Sequence, residues 1–342
     1  MTDAAAVFAA AEKAFQAAYL DSGQQAVYRI AGRVIALKFA SSTLAEKLLP
    51  AFAHLEPAED APADLTICCW DGASNGVRIV APELEKGRGG LEYTDGPIRV
   101  AWGLDDPGLQ AYKAECQVAL FWVPDAAKLA AWEQGAPFRR IFHWWSARIG
   151  LQLVHGAAVG TGVGGVLLVG RGGSGKSTTA LACVGSSLDY VADDYCLIEP
   201  GLHPRVHSLY GSGKADTASI ARLPRLADAF RTSPIDQQGK SIIFITEHFP
   251  RAVARSLPLR AIVVPRIVAG PTCRAVALTR GDALRALAPS TLFQMPGDRA
   301  SSLARMSALI RCLPCWQLDV GNDPDAAQPF LAAIITGEAP AK

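Results

Sequence analysis

Between residues 170 and 177 the chain reads Gly-Arg-Gly-Gly-Ser-Gly-Lys-Ser, a full match to the spacing G-x-x-x-x-G-K-[ST]. Glycines at such spacing let successive backbone N–H groups turn inward, which makes a cradle for phosphate oxygens. An apolar run at 165–170 precedes the loop and a helix-forming run at 178–184 follows it, the strand–loop–helix setting the motif requires. The helix N-terminus adds partial positive charge at the same place. A nucleoside triphosphate site is therefore expected, with Gly170, Arg171, Gly172, Gly173, Ser174, Gly175, Lys176, Ser177 and Thr178 around the phosphates. The Lys176 ammonium would reach the β- and γ-phosphates and the Ser177 hydroxyl would ligate Mg²⁺. ATP and Mg²⁺ are the expected cofactors.

Asp193 and Asp194 follow Lys176 by 17 and 18 residues, inside the apolar run Tyr190–Ile198. Adjacent carboxylates in such a run are costly unless a cation or hydrogen-bond donors compensate them. Strand alternation sends neighbouring side chains to opposite faces unless the strand ends at that point. At a strand end beside the phosphate loop, the natural partners of the two carboxylates are Mg²⁺ and the transferring phosphoryl group. One carboxylate then holds the metal and the other takes the proton from an attacking hydroxyl. The spacing leaves room for one short helix and a turn, so GTPase switch elements and long ATPase insertions do not fit. His155, in Leu153-Val-His-Gly-Ala-Ala158, reads by itself as a structural histidine.

The elements that must position these residues change character along the chain. Residues 1–140 read as an α+β domain of unassigned role: a helix over 5–19, a strand or hairpin over 28–41, a helix from 42 to about 54 and a strand at 65–72. Gly/Pro-punctuated short runs continue to about 104, and 138–156 reads as a helix leading to a boundary. From 141 to 342 strands and helices alternate. Strands are expected at 165–170, 187–200, 241–246, 260–267 and 274–278, and helices around 281–288 and 301–313. That order predicts an α/β domain on a largely parallel sheet, buried on both faces.

Composition narrows the function classes. Half of the 342 residues are hydrophobic and 19% are charged, so the chain builds a large core and is not disordered. A net charge of +1 argues against a nucleic-acid-coating or membrane-surface protein. No basic n-region opens the chain, and no uncharged apolar stretch long enough to cross a bilayer occurs, so a cytoplasmic location is expected. The eight cysteines are scattered and read as reduced thiols, with Cys312-Leu-Pro-Cys315 a lone CxxC lacking a second ligand pair. Residues 251–311 carry 10 Arg and no Lys. Because guanidinium binds carboxylate or phosphate through a planar fork, Arg266, following the strand-like run Ala261–Val264, is the best placed to hold an anionic acceptor.

Taken as a set, His155-Gly156, the loop at 170–177 and Val191-Ala-Asp-Asp194 resemble the catalytic core of the HPr kinase/phosphorylase superfamily. The resemblance implies a P-loop kinase core of the HPr kinase/PEP carboxykinase type over 141–342, preceded by the smaller α+β domain. It implies Asp194 as base, Asp193 with Ser177 on the metal, and His155 beside the acceptor, the two aspartates remaining interchangeable. Thr178 stands where the bacterial regulators usually have Glu. The chain is more similar to divergent HPr-kinase-related proteins encoded with peptide-modification systems, lasso-peptide kinases among them. Lys214 in 209–214 and Lys240 in 240–244 lie in segments similar to those relatives and are further candidates on the acceptor side. The expected function is an ATP- and Mg²⁺-dependent serine kinase acting on a Ser/Thr hydroxyl of a peptide or protein, such as a precursor peptide. A small-molecule kinase and a nucleotide-gated binding protein are the alternatives. Neither nucleic acid nor membrane is an expected partner, and homo-oligomerisation is left open.

Overall fold

The computed structural model describes residues 3–20, 23–58, 61–79, 91–103, 108–236, 238–271, 273–294 and 297–338. Of the short runs expected up to 104, residues 80–90 and 104 lie outside the described residues. The chain divides into two compact units, 1–149 and 150–342. Among the described residues no helix is long and apolar enough to cross a membrane.

The first unit contains α1 (Ala4–Tyr19), β1 (Gln24–Ile30), β2 (Arg33–Phe39), α2 (Ser42–Leu48), β3 (Glu56–Pro57), β4 (Leu65–Asp71) and α3 (Gly72–Asn75). It continues with β5 (Leu91–Asp95), β6 (Ile98–Trp102), β7 (Leu109–Lys113), β8 (Val118–Val123), α4 (Ala131–Gly135) and α5 (Arg139–Arg148). An Asp3 side chain caps α1, and its apolar residues Phe8, Ala11, Phe15 and Ala18 recur at helical spacing on the buried face. They pack on Trp70, Val100, Trp102 and Trp122 of an eight-stranded sheet ordered β3-β1-β2-β4-β8-β7-β6-β5. The expected helix over 138–156 is shorter than its sequence suggests: α5 stops at Arg148, and Gly150, at φ 82°, turns the chain into a strand.

The second unit contains β9 (Gln152–His155), β10 (Ala157–Thr161), β11 (Gly164–Leu168), α6 (Lys176–Ala182), β12 (Asp189–Ala192), β13 (Tyr195–Glu199), β14 (Arg205–Ser208) and β15 (Ser212–Ala215). After these come α7 (Thr217–Ala221), α8 (Ala227–Arg231), β16 (Ser241–Phe244), α9 (Ile245–His248), β17 (Ser256–Ile267) and β18 (Arg274–Ala277). The last elements are α10 (Arg280–Gln294), α11 (Arg299–Cys312), β19 (Cys315–Val320) and α12 (Gln328–Thr336). A nine-stranded sheet forms the middle layer. Along β11, Val166 and Leu168 face a core shared with α6, α8 and α12, while Leu167 and Val169 face one shared with α10 and α11. Burial on both faces explains the unbroken apolar run of β11.

The expectation of a largely parallel sheet is corrected. Among the described residues of the nine-stranded sheet only β11–β17 and β17–β19 pair in parallel, and its other strand pairings are antiparallel. Short connections are the reason. The turn between β10 and β11 and the link at 200–204 between β13 and β14 are too tight for a crossover helix, which parallel neighbours need. The run at 187–200 is likewise two strands rather than one. β12 pairs with β10, whereas β13 pairs with β9 and β14.

Those pairings reveal a seam. The chain passes from β9 to β10 at His155-Gly156 and from β12 to β13 at Asp193-Asp194, each time changing pairing partners. The two crossings touch: the Gly156 N–H donates to the Asp194 carbonyl at 3.0 Å. A Cβ at Gly156 would lie 3.0 Å from the Leu168 carbonyl oxygen, so the position has little room for any side chain. Strand β12 is tied to β15 by Tyr190, fully buried, whose hydroxyl donates to the Ser212 carbonyl at 2.6 Å. Replacing Tyr190 by Phe removes the phenol's hydrogen bond to the Ser212 carbonyl. The expected outcome is a loss of about 1–3 kcal/mol, read as a lower urea midpoint at unchanged slope. A midpoint equal to wild type would show that the bond contributes nothing to holding β15.

Candidate functional site

The glycine-rich loop leaves β11 and enters α6 with three glycines in left-handed backbone: Gly170 at φ 152°, Gly173 at 76° and Gly175 at 101°. A Cβ at Gly170 would also meet the Ser174 hydroxyl oxygen at 2.7 Å. Lys176, the first residue of α6, is 6% exposed and donates to the carbonyls of Gly170 at 2.8 Å and Arg171 at 3.2 Å. Burial lowers its pKa, the nearby charges of Asp193 and Asp194 oppose that fall, and Lys240 adds to it. Thr178 is buried and donates to the Ser219 hydroxyl at 3.1 Å. Arg171, Gly172 and Gly173 form the exposed outer turn of the loop.

One residue, Lys214, reaches both Asp193 and Asp194 at the seam. The Lys214 backbone N–H donates to Asp193 Oδ2 at 3.1 Å, and the Lys214 ammonium lies 2.9 Å from Asp194 Oδ2. Asp194 itself adopts φ 63°, a left-handed conformation that ends β12 and aims its side chain away from the alternation of a continuous strand. Strand break and αL residue together bring both carboxylates to the same place, which alternation alone forbids.

Their electrostatics diverge. Asp193, 2% exposed, is raised to about 6 by burial and by the Asp194 charge, against lowering interactions from the Ser177 hydroxyl and the Lys214 and Asp194 N–H groups. Burial would raise Asp194 too, but the Lys214 ammonium and His155 outweigh it and hold this carboxyl well below the usual carboxylate range. Lys214 pays the same desolvation, and the Asp194 charge more than offsets it, raising the ammonium pKa. The two aspartates are therefore unequal: a protonatable one beside Ser177 and a firmly ionised one beside His155.

His155 ends β9 with its Nε2 at 3.7 Å from Asp194 Oδ1 and its backbone N–H donating to Thr291 Oγ1 at 3.1 Å. Its Nδ1 is 3.3 Å from Gln294 Nε2, and the Tyr195 hydroxyl donates to Gln294 Oε1 at 2.6 Å. Thr291, Gln294 and Tyr195 were not expected at the site. Thr291 and Gln294 lie more than 130 residues from His155 in sequence, and no local pattern marks them; Tyr195 is signalled only by following the Asp pair.

The tertiary structure thus brings together Lys176, Ser177, Asp193, Asp194, His155 and Lys214. Lys214 is committed to Asp194. Lys240 is half-buried on the loop closed by Asp236, whose Oδ1 accepts from the Gln238 and Lys240 N–H groups. Arg266 reaches the end of β17 near the loop, but its fork is closed on Asp319, with both bonds at 2.8 Å. Arg260 is turned to the Val163 carbonyl, at the β10–β11 turn. An open cleft of about 640 Å³ runs along residues 170–174 of the loop, with Ile267, Phe293 and Gln294 in its walls. Phe293 is 78% exposed and Ile267 47%.

Asp193 Oδ1 is buried and has no hydrogen-bond partner, which fits a cation ligand. Among the described residues no cluster of three or more His, Cys, Asp or Glu side chains is set to hold a metal. One carboxylate and one hydroxyl suit Mg²⁺, which takes most of its oxygens from water and phosphate.

No protein-family model matches the chain, and no curated protein matches it. Among solved structures it is similar to the Hpr(Ser) kinase/phosphatase from Coxiella burnetii, at 13% identity and a TM-score of 0.27, over 50% of this chain and 85% of that one. A likeness of that size assigns no activity.

The raised Asp193 has a signed consequence for stability. A carboxyl whose folded pKa of about 6 exceeds its ordinary 3.8 favours the fold while protonated, and that contribution is lost as pH rises through 6. Without divalent cation, Asp193→Asn removes this loss, on the order of 3 kcal/mol for a shift of about two pH units. The variant is expected to melt above wild type at pH 8 in EDTA, and the gap to shrink towards pH 4. A gap independent of pH would contradict the assignment.

Proposed function

We propose that this chain is a phosphotransferase that uses ATP and Mg²⁺ to phosphorylate a Ser or Thr hydroxyl of a peptide or protein. The observation that carries the reading is the meeting, at one seam, of the Lys176 loop, the unpartnered Asp193 Oδ1 and the ionised Asp194. Asp193 and Ser177 would hold Mg²⁺, which supplies charge neutralisation to the phosphates when bound. Lys176 brings a poorly hydrated positive charge beside the same point, and such charges gain strength in a water-poor site.

Asp194 is the residue placed to receive the acceptor. Its carboxylate orients the hydroxyl and takes the proton as the new O–P bond forms and the bond to the leaving ADP oxygen breaks. A carboxylate held so firmly ionised is a weak base, and phosphoryl transfer through a loose transition state asks little of its base. Lys214 keeps Asp194 ionised and fixes its direction. The cleft beside the loop favours a polypeptide acceptor: it is open and walled by exposed apolar side chains, unlike the enclosed pockets that bury most of a small ligand.

Incubation with γ-labelled ATP and a pool of Ser/Thr peptides is expected to move label onto peptide. Label on a metabolite instead, or on nothing, would overturn the reading. Lys176→Ala is expected to cut transfer by about 10²–10³, the usual cost of removing a transition-state charge. Asp194→Asn should lose about 10²–10⁴ in kcat while ATP binding stays within a few-fold, since only proton acceptance is removed. Wild-type kcat in Asp194→Asn would exclude it as base.

A further inference from the structure

We infer that Gln294 is a positioning residue that fixes the tautomer of His155, so that His155 turns an N–H rather than a lone pair towards Asp194 and leaves proton acceptance to Asp194. The inference rests on the phosphotransferase reading for its catalytic meaning, but its structural content stands on five contacts. The Tyr195 hydroxyl and the Gln294 Oε1 are 2.6 Å apart. That separation is ordinary for O–H···O and short for N–H···O, so the atom facing Tyr195 is the amide oxygen and the phenol is the donor. The amide NH₂ then faces His155 Nδ1, at 3.3 Å, and an NH₂ can only donate. Nδ1 must accept, so in the neutral ring the proton sits on Nε2.

Nε2 is the nitrogen turned to Asp194, 3.7 Å from Oδ1. An Nε2–H there donates towards the carboxylate and cannot take a proton from a bound hydroxyl. The opposite tautomer would set two lone pairs, on Nε2 and Oδ1, against each other. It would also require the Gln294 amide to turn over, placing NH₂ against Tyr195 at a distance that suits a hydroxyl. The residue is held at two further points: its backbone N–H donates to Thr291, which is 1% exposed, and its ring lies against the Tyr195 ring at 5.4 Å between centroids. Both anchors, Thr291 and Gln294, come from the last turn of α10. The ring's orientation is thus set by the helix that also walls the cleft. Nitrogen choice in histidine is commonly governed by the bond made at the other ring nitrogen.

The full chain labelled with ¹⁵N-histidine, free of nucleotide and metal, tests this directly. His155 is identified among the six histidines as the resonance pair missing from His155→Asn. Neutral His155 is expected as the Nε2–H form in wild type. In Gln294→Glu, whose carboxylate only accepts, it should pass to the Nδ1–H form or become doubly protonated. Tyr195→Phe, which frees the amide to turn over, should give a mixture. A wild-type Nδ1–H form, or a tautomer unmoved in both variants, overturns the inference. Because this measurement needs no turnover, its failure leaves the phosphotransferase reading intact, and failure of that reading leaves the tautomer testable. In the transfer assay Gln294→Glu is expected to lower kcat about 10–100-fold, as loss of an orienting partner does, with ATP KM within about twofold. An equal rise in ATP KM with unchanged kcat would assign Gln294 to nucleotide binding instead.

Discussion

Two adjacent carboxylates, one buried and one half-buried, are the constraint around which the second unit is organised. Neither Asp193 nor Asp194 is tolerable in an apolar sheet without compensation, and one residue on another strand contributes to compensating both. Lys214 gives its backbone N–H to one and its ammonium to the other. That double role fixes where β15 must lie, and Tyr190 ties β15 to the strand that delivers the pair. The β12–β13 break, the left-handed Asp194 and the bond from Gly156 then follow as the geometry that lets both side chains face one place.

The same constraint separates the two acids chemically. Lys214 and His155 lie on the Asp194 side, so Asp194 is the one held ionised, while Asp193 keeps one oxygen unpaired in the interior beside Ser177. An unpaired buried oxygen costs stability unless something occupies it, and a strained αL residue is retained only where its surroundings over-determine it.

The first unit has its own aromatic core, with Phe15, Trp70 and Trp102 under α1. None of the residues gathered at the seam belongs to it. In the second unit, β17 carries the architecture. Its first residues pair with β14, and the rest pair in parallel with β11 and β19, so one strand of twelve residues joins both halves of the sheet.

Local sequence determined the parts whose physics is local. The glycine spacing with its flanking runs placed the loop and the start of α6. Helical periodicity placed α1, and an unbroken apolar run marked β11 as buried on both faces. Lys176 and Ser177 were legible from the loop motif and Asp193 and Asp194 from the cost of paired carboxylates in an apolar run, whereas His155 read alone as a structural histidine and became a candidate only through the family resemblance. The partners were not legible. Lys214 could be singled out as a cation, but nothing local said that it closes on Asp194 rather than on an acceptor. Arg266 has the right fork for an anion, yet the pairing of β17 with β19 places Asp319 opposite it and uses that fork. Sheet direction was misjudged for a related reason: an apolar run reports burial, whereas parallel or antiparallel pairing depends on which distant strand lies alongside. Thr291 and Gln294 reach His155 only because α10 packs across the end of β9. Contacts made at that range are set by the packing of whole layers, and that was decided by the tertiary structure alone.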